Sequence, residues 1–386
     1  MHGEFDPLLK FEIPEIIFGR DSLKQLGQCS RRLGGERVLL VTDPGIIACG
    51  WIDEALGYLK QEGLKSVVYD NVVTNPRSYQ VEEGALAYSR KECDVIIAIG
   101  GGSPMDTAKG IAILASNQGR IEDYVGCNLI TQPIPPLICV PTTAGTGSDI
   151  SQFAIIADRE KKIKMTILSR AIMPDISLID PRLLKTKSAE LIASTGMDAL
   201  THAIEALVSS LSWPMTDPHA CHAVQMVFRH LCDAVYRKSL DPLEGMAIAS
   251  LEAGAAFSNA ILGAVHALAH PLGGYYDMHH GLANAILLPA VVKKNLKYAP
   301  GKYALIANAM GIDTRGKTKA EAAELVPERI EQLIRELHIP TKLSQVGVKK
   351  EDIPSLSLDA AQDLCMMTNP QRYGAAEIEA IYRDAF

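Results

Sequence analysis

What this chain lacks narrows its class before any motif is read. Its eight cysteines, Cys29, Cys49, Cys93, Cys127, Cys139, Cys221, Cys232 and Cys365, form no C-x-x-C pair. In a chain of 386 residues that scatter argues against a zinc knuckle or a disulfide framework and for reduced thiols in a cytoplasm. The N-terminal stretch has no basic region followed by an apolar core, so no secretory signal is expected. Apolar runs are cut by Gly, His or charge well short of about 18 residues, which leaves nothing expected to span a membrane. The net charge is −7 and no basic patch with interleaved aromatics occurs. Neither nucleic acid nor an anionic membrane surface is therefore an expected partner. Also missing are a fixed-period repeat, a low-complexity segment, the G-x-G-x-x-G fingerprint and the Gly-Lys-Ser/Thr ending of a P-loop.

What is present is an ordinary globular composition, 47% hydrophobic and 22% charged, in a chain long enough for two domains. The first half alternates strand and helix signals. Strands are expected at 11–18, 37–42, 66–69, 94–99 and 136–140, with helices at 51–61 and 79–91. Short β-branched runs separated by helices of this length specify a doubly wound, Rossmann-like parallel sheet, whose ligands bind beyond the carboxyl ends of the strands. The pattern changes after Asp180-Pro181. Helical stretches follow at 188–210, 217–238, 242–270, 281–295, 300–310, 318–337 and 375–384, while 339–372 resists assignment. The expected division is an α/β domain at 1–186 and an all-helical domain at 187–386.

The strand DVIIAI runs directly into Gly100-Gly101-Gly102-Ser103-Pro104-Met105-Asp106. Ser103 suits an N-cap, Pro104 the first helical position and Asp106 the third, as in an S-x-x-D capping box. A glycine loop feeding a helix N-terminus favours a phosphate, because free amides and the helix dipole both point at it. The next strand, PLICV, ends in Pro141-Thr142-Thr143-Ala144-Gly145-Thr146-Gly147-Ser148. These hydroxyls suit phosphate or ribose oxygens, or a Ser/Thr turn with capping. Two such loops from neighbouring strands favour a pyrophosphate-containing cofactor. Asp43, closing RVLLVTD, suits a ribose-hydroxyl acceptor and would repel a 2′-phosphate, which favours NAD over NADP. An Asp after a strand also serves as a plain turn residue.

Four of the ten histidines fall in GAVHALAHPLGGYYDMHHG, residues 263–281. His266 and His270 share a helical face. Pro271, Gly273 and Gly274 are expected to break that helix, and a loop then returns His279 and His280. Asp198 and His202 are also four apart, in GMDALTH. Together they offer a carboxylate and three imidazoles: Asp198, His202, His266 and His280, with His270 and His279 as alternates. That donor set suits Fe(II) or Zn(II) better than Ca or Mg.

GGGSPMDTAKG (100–110), PTTAGTGSD (141–149), GMDALTHAIEA (196–206) and FSNAILGAVHALAHPLGG…HHGLANAILLP (257–289) resemble the iron-containing (group III) alcohol dehydrogenases, of the dehydroquinate-synthase-like fold. The resemblance covers essentially the whole chain. It implies Asp198, His202, His266 and His280 as metal ligands and His270 as the unligated histidine beside nicotinamide and substrate. It also implies Gly101, Gly102 and Ser103 at the pyrophosphate, with Thr142, Thr143 and Ser148 flanking diphosphate and nicotinamide. Lys164 matches a cofactor-binding lysine, Asn75 lies near the adenine side, and Asp43 matches a position that prefers NAD. Phe153 and Phe257 fall where the family lines its substrate pocket.

The implied reaction is hydride transfer between a small alcohol or diol and NAD, aided by Fe(II) or alternatively Zn(II), with His270 relaying the proton. Expected partners are a small alcohol or aldehyde and further copies of the chain, in a dimer or higher. Two other functions fit these residues less well. A lyase of dehydroquinate-synthase type needs a strongly basic pocket for a phosphorylated polyhydroxy substrate, whereas Phe153 and Phe257 favour an apolar one. A non-catalytic nucleotide-sensing protein predicts damage to the metal set, and all four ligand positions are filled.

Overall fold

The computed structural model describes residues 10–158 and 163–386. Its first half is built on a six-stranded sheet of β1 (Glu15–Phe18), β2 (Arg37–Val41), β3 (Lys65–Tyr69), β4 (Val95–Gly100), β6 (Leu137–Pro141) and β9 (Ile176–Ile179). The strand order is β1-β9-β6-β4-β2-β3, and every neighbouring pair is parallel. The runs RVLLV and VIIAIG are apolar at almost every position because both sheet faces are covered. Within β2 the period of two decides which layer each side chain joins: Val38 and Leu40 pack with Ile52 and Leu59, Leu39 and Val41 with Met105 and Ile111. The covering helices are α1 (Leu26–Arg32), α2 (Pro44–Ala48), α3 (Trp51–Gln61), α4 (Ser78–Arg90) and α5 (Gly102–Ser116).

Four strands escaped the sequence pattern. The two-residue β5 (Gly126–Cys127), with β7 (Phe153–Asp158) and β8 (Ile163–Leu168), forms a small second sheet. β7 and β8 pair antiparallel, with Ala157 opposite Lys164. The four-residue β9 was also missed, since a run that short carries no periodicity. β1 is shorter than expected: it starts at Glu15, directly after Pro14, which has no amide to give a ladder.

The second half, as expected, is helical among the described residues: α6 (Ala189–Val208), α7 (Asp217–Arg237), α8 (Leu240–Ala260), α9 (Ala264–Tyr276), α10 (His280–Asn295), α11 (Pro300–Ala309), α12 (Lys319–Glu324), α13 (Val326–Glu336), α14 (Ile353–Ala361) and α15 (Ala375–Asp384). Ser188 caps α6 by accepting the Leu191 amide. From Ile192 to Val208 every α6 residue is buried, so this is the central helix of the half.

Three helix assignments need correction. The expected helix at 242–270 is two, bent by 101°. Ile261 breaks it with φ +63°, and the following Gly263 and Val265 amides turn to the Glu205 carboxylate instead. Pro271, Gly273 and Gly274 do not end α9, which runs through them to Tyr276. Gly273 is small for another reason: a Cβ there would lie 2.3 Å from Lys164 Cε. The expected helix at 318–337 divides at Leu325, two residues before Pro327. Among the described residues no single helix is long and apolar enough to cross a membrane.

Candidate active site

The carboxyl edge of the large sheet faces the helical half across a cleft of about 660 Å³, a volume typical of cofactor and small-molecule sites. From the sheet side come Asp43, Asn75, Gly101, Gly102, Ser103, Thr143, Ser148, Phe153 and Lys164; from the helical side come Asp198, His202, Phe257, His266, His270, His279 and His280. Thr142 is the exception among the candidates. It is fully buried at the end of β6, with its amide bonded to the Gly100 carbonyl, and Thr146 lines the cleft instead.

The glycine loop differs from the expected capping box. α5 begins two residues early, at Gly102, with Gly101 as a cap that offers no side-chain acceptor. Its first-turn amides are thus uncapped at the cleft. Asp106 points inward and takes the Ser148 hydroxyl at 2.6 Å and the Ile155 amide at 3.2 Å. Burial pushes its carboxyl pKa up, against the attraction of the buried Lys109. Lys109 in turn donates to the Ser151 and Phe153 carbonyls, both at 2.7 Å, which holds the start of β7. The two loops face each other: a Cβ on Gly102 would lie 3.2 Å from Thr146, and one on Gly101 3.4 Å from Thr143.

Asp43 caps α2, accepting the Ile46 amide at 3.1 Å, so it is a turn residue that also borders the cleft. Asn75, at φ +55°, donates to Asp277 at 2.6 Å, and Arg77 reaches the same carboxylate at 3.4 Å. Asp277 ends α9, so these bonds tie the two halves together at one end of the cleft. Lys164 projects from β8; burial, against the attraction of Asp106, Asp198 and Asp277, brings its ammonium pKa down to about 8.

On the helical side four side chains converge. The Nε2 atoms of His202, His266 and His280 lie 4.0, 3.9 and 4.0 Å from one oxygen, Asp198 Oδ1. These separations are too long for hydrogen bonds. Outer contacts aim the rings: His202 Nδ1 is 3.1 Å from the Gly145 carbonyl and His266 Nδ1 is 2.6 Å from Glu205 Oε2. Burial first, then neighbouring positive groups, pushes the pKa of His266 and of His280 well below the usual imidazole value. Both rings are therefore held neutral, with the Asn284 amide nitrogen 3.2 and 3.3 Å from their Nε2 atoms. Three imidazoles and a carboxylate, two of the rings held by contacts on their far nitrogens, fit a divalent transition metal. Burial also lowers His279, whose Nδ1 has no partner among the described residues; it stands at the N-cap of α10, beside this set.

Four residues near the site were not singled out from sequence. Glu205 is buried, its pKa raised to about 7 by burial against three donated hydrogen bonds. It lies three residues after His202 on α6, a helical spacing that contained the signal. Asn284, fully buried, donates to Asp198 Oδ1 at 2.6 Å, and its four-residue spacing from His280 was equally readable. Asp363 and Cys365 reach the site from the region 339–372, where no motif marked them. Phe153 and Phe257 meet at 5.9 Å between ring centroids, and Phe257 stacks on His202 at 4.4 Å.

A parallel-sheet half and a helical half enclosing such a cleft define the dehydroquinate-synthase-like two-domain fold. Comparison with known proteins is specific. Residues 14–181 match the family described as iron-containing alcohol dehydrogenase, and residues 192–386 match the C-terminal part of the Fe-containing alcohol dehydrogenase family. The chain is 42% identical over 383 residues to 1,3-propanediol dehydrogenase of Klebsiella pneumoniae, covering 98% of this chain and 99% of that one. It is 36% identical over 373 residues to the NAD-dependent methanol dehydrogenase of Bacillus methanolicus, covering 96% and 98%. A crystal structure of 1,3-propanediol oxidoreductase superposes with a TM-score of 0.96 at 41% identity, covering 98% and 100%. The chain belongs to the iron-containing alcohol dehydrogenase family and is an alcohol/aldehyde oxidoreductase.

Proposed function

We propose that the protein transfers hydride between a small alcohol or diol and NAD, with iron(II) at Asp198, His202, His266 and His280 and zinc(II) as the alternative metal. One observation carries this reading: three imidazole nitrogens aim at a single carboxylate oxygen inside the cleft that both glycine-hydroxyl loops border. When bound, the metal supplies Lewis acidity at the alcohol oxygen and NAD supplies the hydride acceptor.

The chain's own residues bind, orient and exclude water. The uncapped first turn of α5, with Gly101, Gly102 and Ser103, receives the diphosphate, faced by Thr143, Thr146 and Ser148. Lys164 adds a cation, and Asp43 and Asn75 border the adenosine end. Phe153 and Phe257 take the carbon chain and keep water from the reacting carbons. His270 moves the hydroxyl proton toward solvent. We assign the division at residue 186 as the boundary between the cofactor-binding and metal-binding halves. Eight free thiols support a cytoplasmic setting, and we assign a homo-oligomer, dimer or higher, testable by light scattering. The only lysines and arginines lining the cleft among the described residues are Lys164 and Lys187, too few for a dinucleotide and a phosphorylated polyhydroxy substrate together. That favours the dehydrogenase over a lyase.

The test is metal analysis of anaerobically purified protein, paired with NAD-coupled assays on short alcohols, diols and aldehydes. About one iron or zinc per chain with turnover on this panel supports the reading. Protein without a transition metal, or without NAD-linked turnover on any of these, overturns it.

A further inference from the structure

The proton-transfer role given to His270 requires that one ring nitrogen be kept as an acceptor facing the cleft. The residue placed to do this is Asp363, at the head of the short turn Leu364–Thr368. Its Oδ2 lies 2.7 Å from His270 Nδ1, and its Oδ1 accepts the Cys365 amide at 2.8 Å. The carboxylate is therefore locked by backbone on one side and grips the imidazole with the other. His270 cannot tilt away, because its ring stacks on His280 at 5.4 Å and 13°. A buried imidazole gripped at Nδ1 and stacked on its face has one free edge, and His270 itself lines the cleft.

We propose that Asp363 is a positioning residue for the proton step: it holds His270 as the Nδ1–H tautomer and keeps Nε2 as the acceptor toward the alcohol. An ionised carboxylate is acceptor-only, so the proton between them sits on Nδ1. The same negative charge stabilises the imidazolium that forms when Nε2 takes the substrate proton; that proton then leaves from Nε2 to water, and the neutral Nδ1–H imidazole beside the ionised carboxylate is restored. Burial opposes an ionised Asp363, but the attraction and hydrogen bond of His270 and the Cys365 amide outweigh it and hold its pKa below the usual value. A pure capping role would need only Oδ1, and would leave Oδ2 no reason to face His270. The proposal rests on the reading of His270 as the relay.

The decisive variant is Asp363→Asn, which keeps the shape but can present an amide donor to Nδ1, favouring the opposite tautomer. Metal-replete Asp363→Asn should lose about 10²–10⁴-fold in the single-turnover rate of NADH formation, with unchanged metal content and little change in NAD affinity. His270→Ala should lose as much, and the double variant no more than either alone. In zinc-loaded protein labelled with ¹⁵N-histidine, wild-type His270 should show a protonated Nδ1 and Asp363→Asn a protonated Nε2. An unprotonated wild-type Nδ1 overturns the proposal without any variant. So does an active Asp363→Asn beside an inactive His270→Ala, an outcome that spares the relay reading. A fully active His270→Ala overturns the relay reading, and the role of Asp363 with it.

Discussion

On the sheet side of the cleft the ligand-facing groups are backbone amides and short hydroxyls at the ends of β4 and β6. On the helical side they are imidazoles and carboxylates, several of them buried and held by partners distant in sequence, as His266 is by Glu205 and His270 by Asp363. The first wall is made of main chain and tolerates loss of one side chain, because the amides of α5 remain. The second is a network in which each buried polar group depends on the next. Removing one member leaves another buried polar group uncompensated. Damage should therefore be all-or-none on the helical wall and graded on the sheet wall.

The largest effect should follow removal of a convergent donor. His266→Ala is expected to leave the purified protein with well below one metal per chain and to cost more than about 100-fold in activity, beyond what loss of an outer partner costs. Full metal content measured by mass spectrometry would erase the contrast between the walls. Next come the outer partners. Glu205→Gln turns an amide toward His266 Nδ1, and Asn284→Ala removes the donor to Asp198; each should weaken metal binding by about 10–100-fold in chelator competition. A change below twofold would place these residues in packing alone.

The sheet wall should respond more gently, and with pH. Lys164 loses its proton near pH 8 in the folded protein, so dinucleotide affinity should fall several-fold between about pH 7 and 9. Lys164→Ala should flatten that slope in a binding titration. The sign for stability is opposite. Between about pH 8 and 10.5 the unfolded chain binds the extra proton, so the contribution of Lys164 to stability rises with pH across that window. The smallest effect belongs to Asp43. Asp43→Gly should relax discrimination against NADP, read as the ratio of kcat/KM values, and an unchanged ratio would leave Asp43 only its cap on α2.

The same contrast governs what could be read in advance. The sheet wall follows local rules: apolar runs mark strands, and the glycine and hydroxyl clusters sit immediately after them. The four convergent donors were assembled partly from spacing, Asp198 with His202, and partly by resemblance to a family. What stayed hidden depends on contacts between distant segments. Glu205 takes the amides freed where α8 and α9 part, and nothing local near Ile261 marks that break. Asp106 satisfied every local rule for a capping box but turned inward, because Ser148 and the Ile155 amide offered it partners in three dimensions. Asp363 lies in a stretch with no period at all. β7 and β8 escaped because their pairing is set by contacts across the sheet and not by any expected strand pattern.

The donors also come from widely separated parts of the chain: Asp198 and His202 share one helix, while His266 and His280 arrive some 60 to 80 residues later. In the unfolded chain only the first pair can meet, through a weak two-point contact. Tight affinity for an ion exists only after α6, α9 and α10 have docked, so metal loading reports completion of the helical half. Every kilocalorie by which the ion prefers the assembled set is then stability of that half, growing with free-ion concentration by mass action. An ion held by this set would thus stabilise the docked helical half in step with its free concentration.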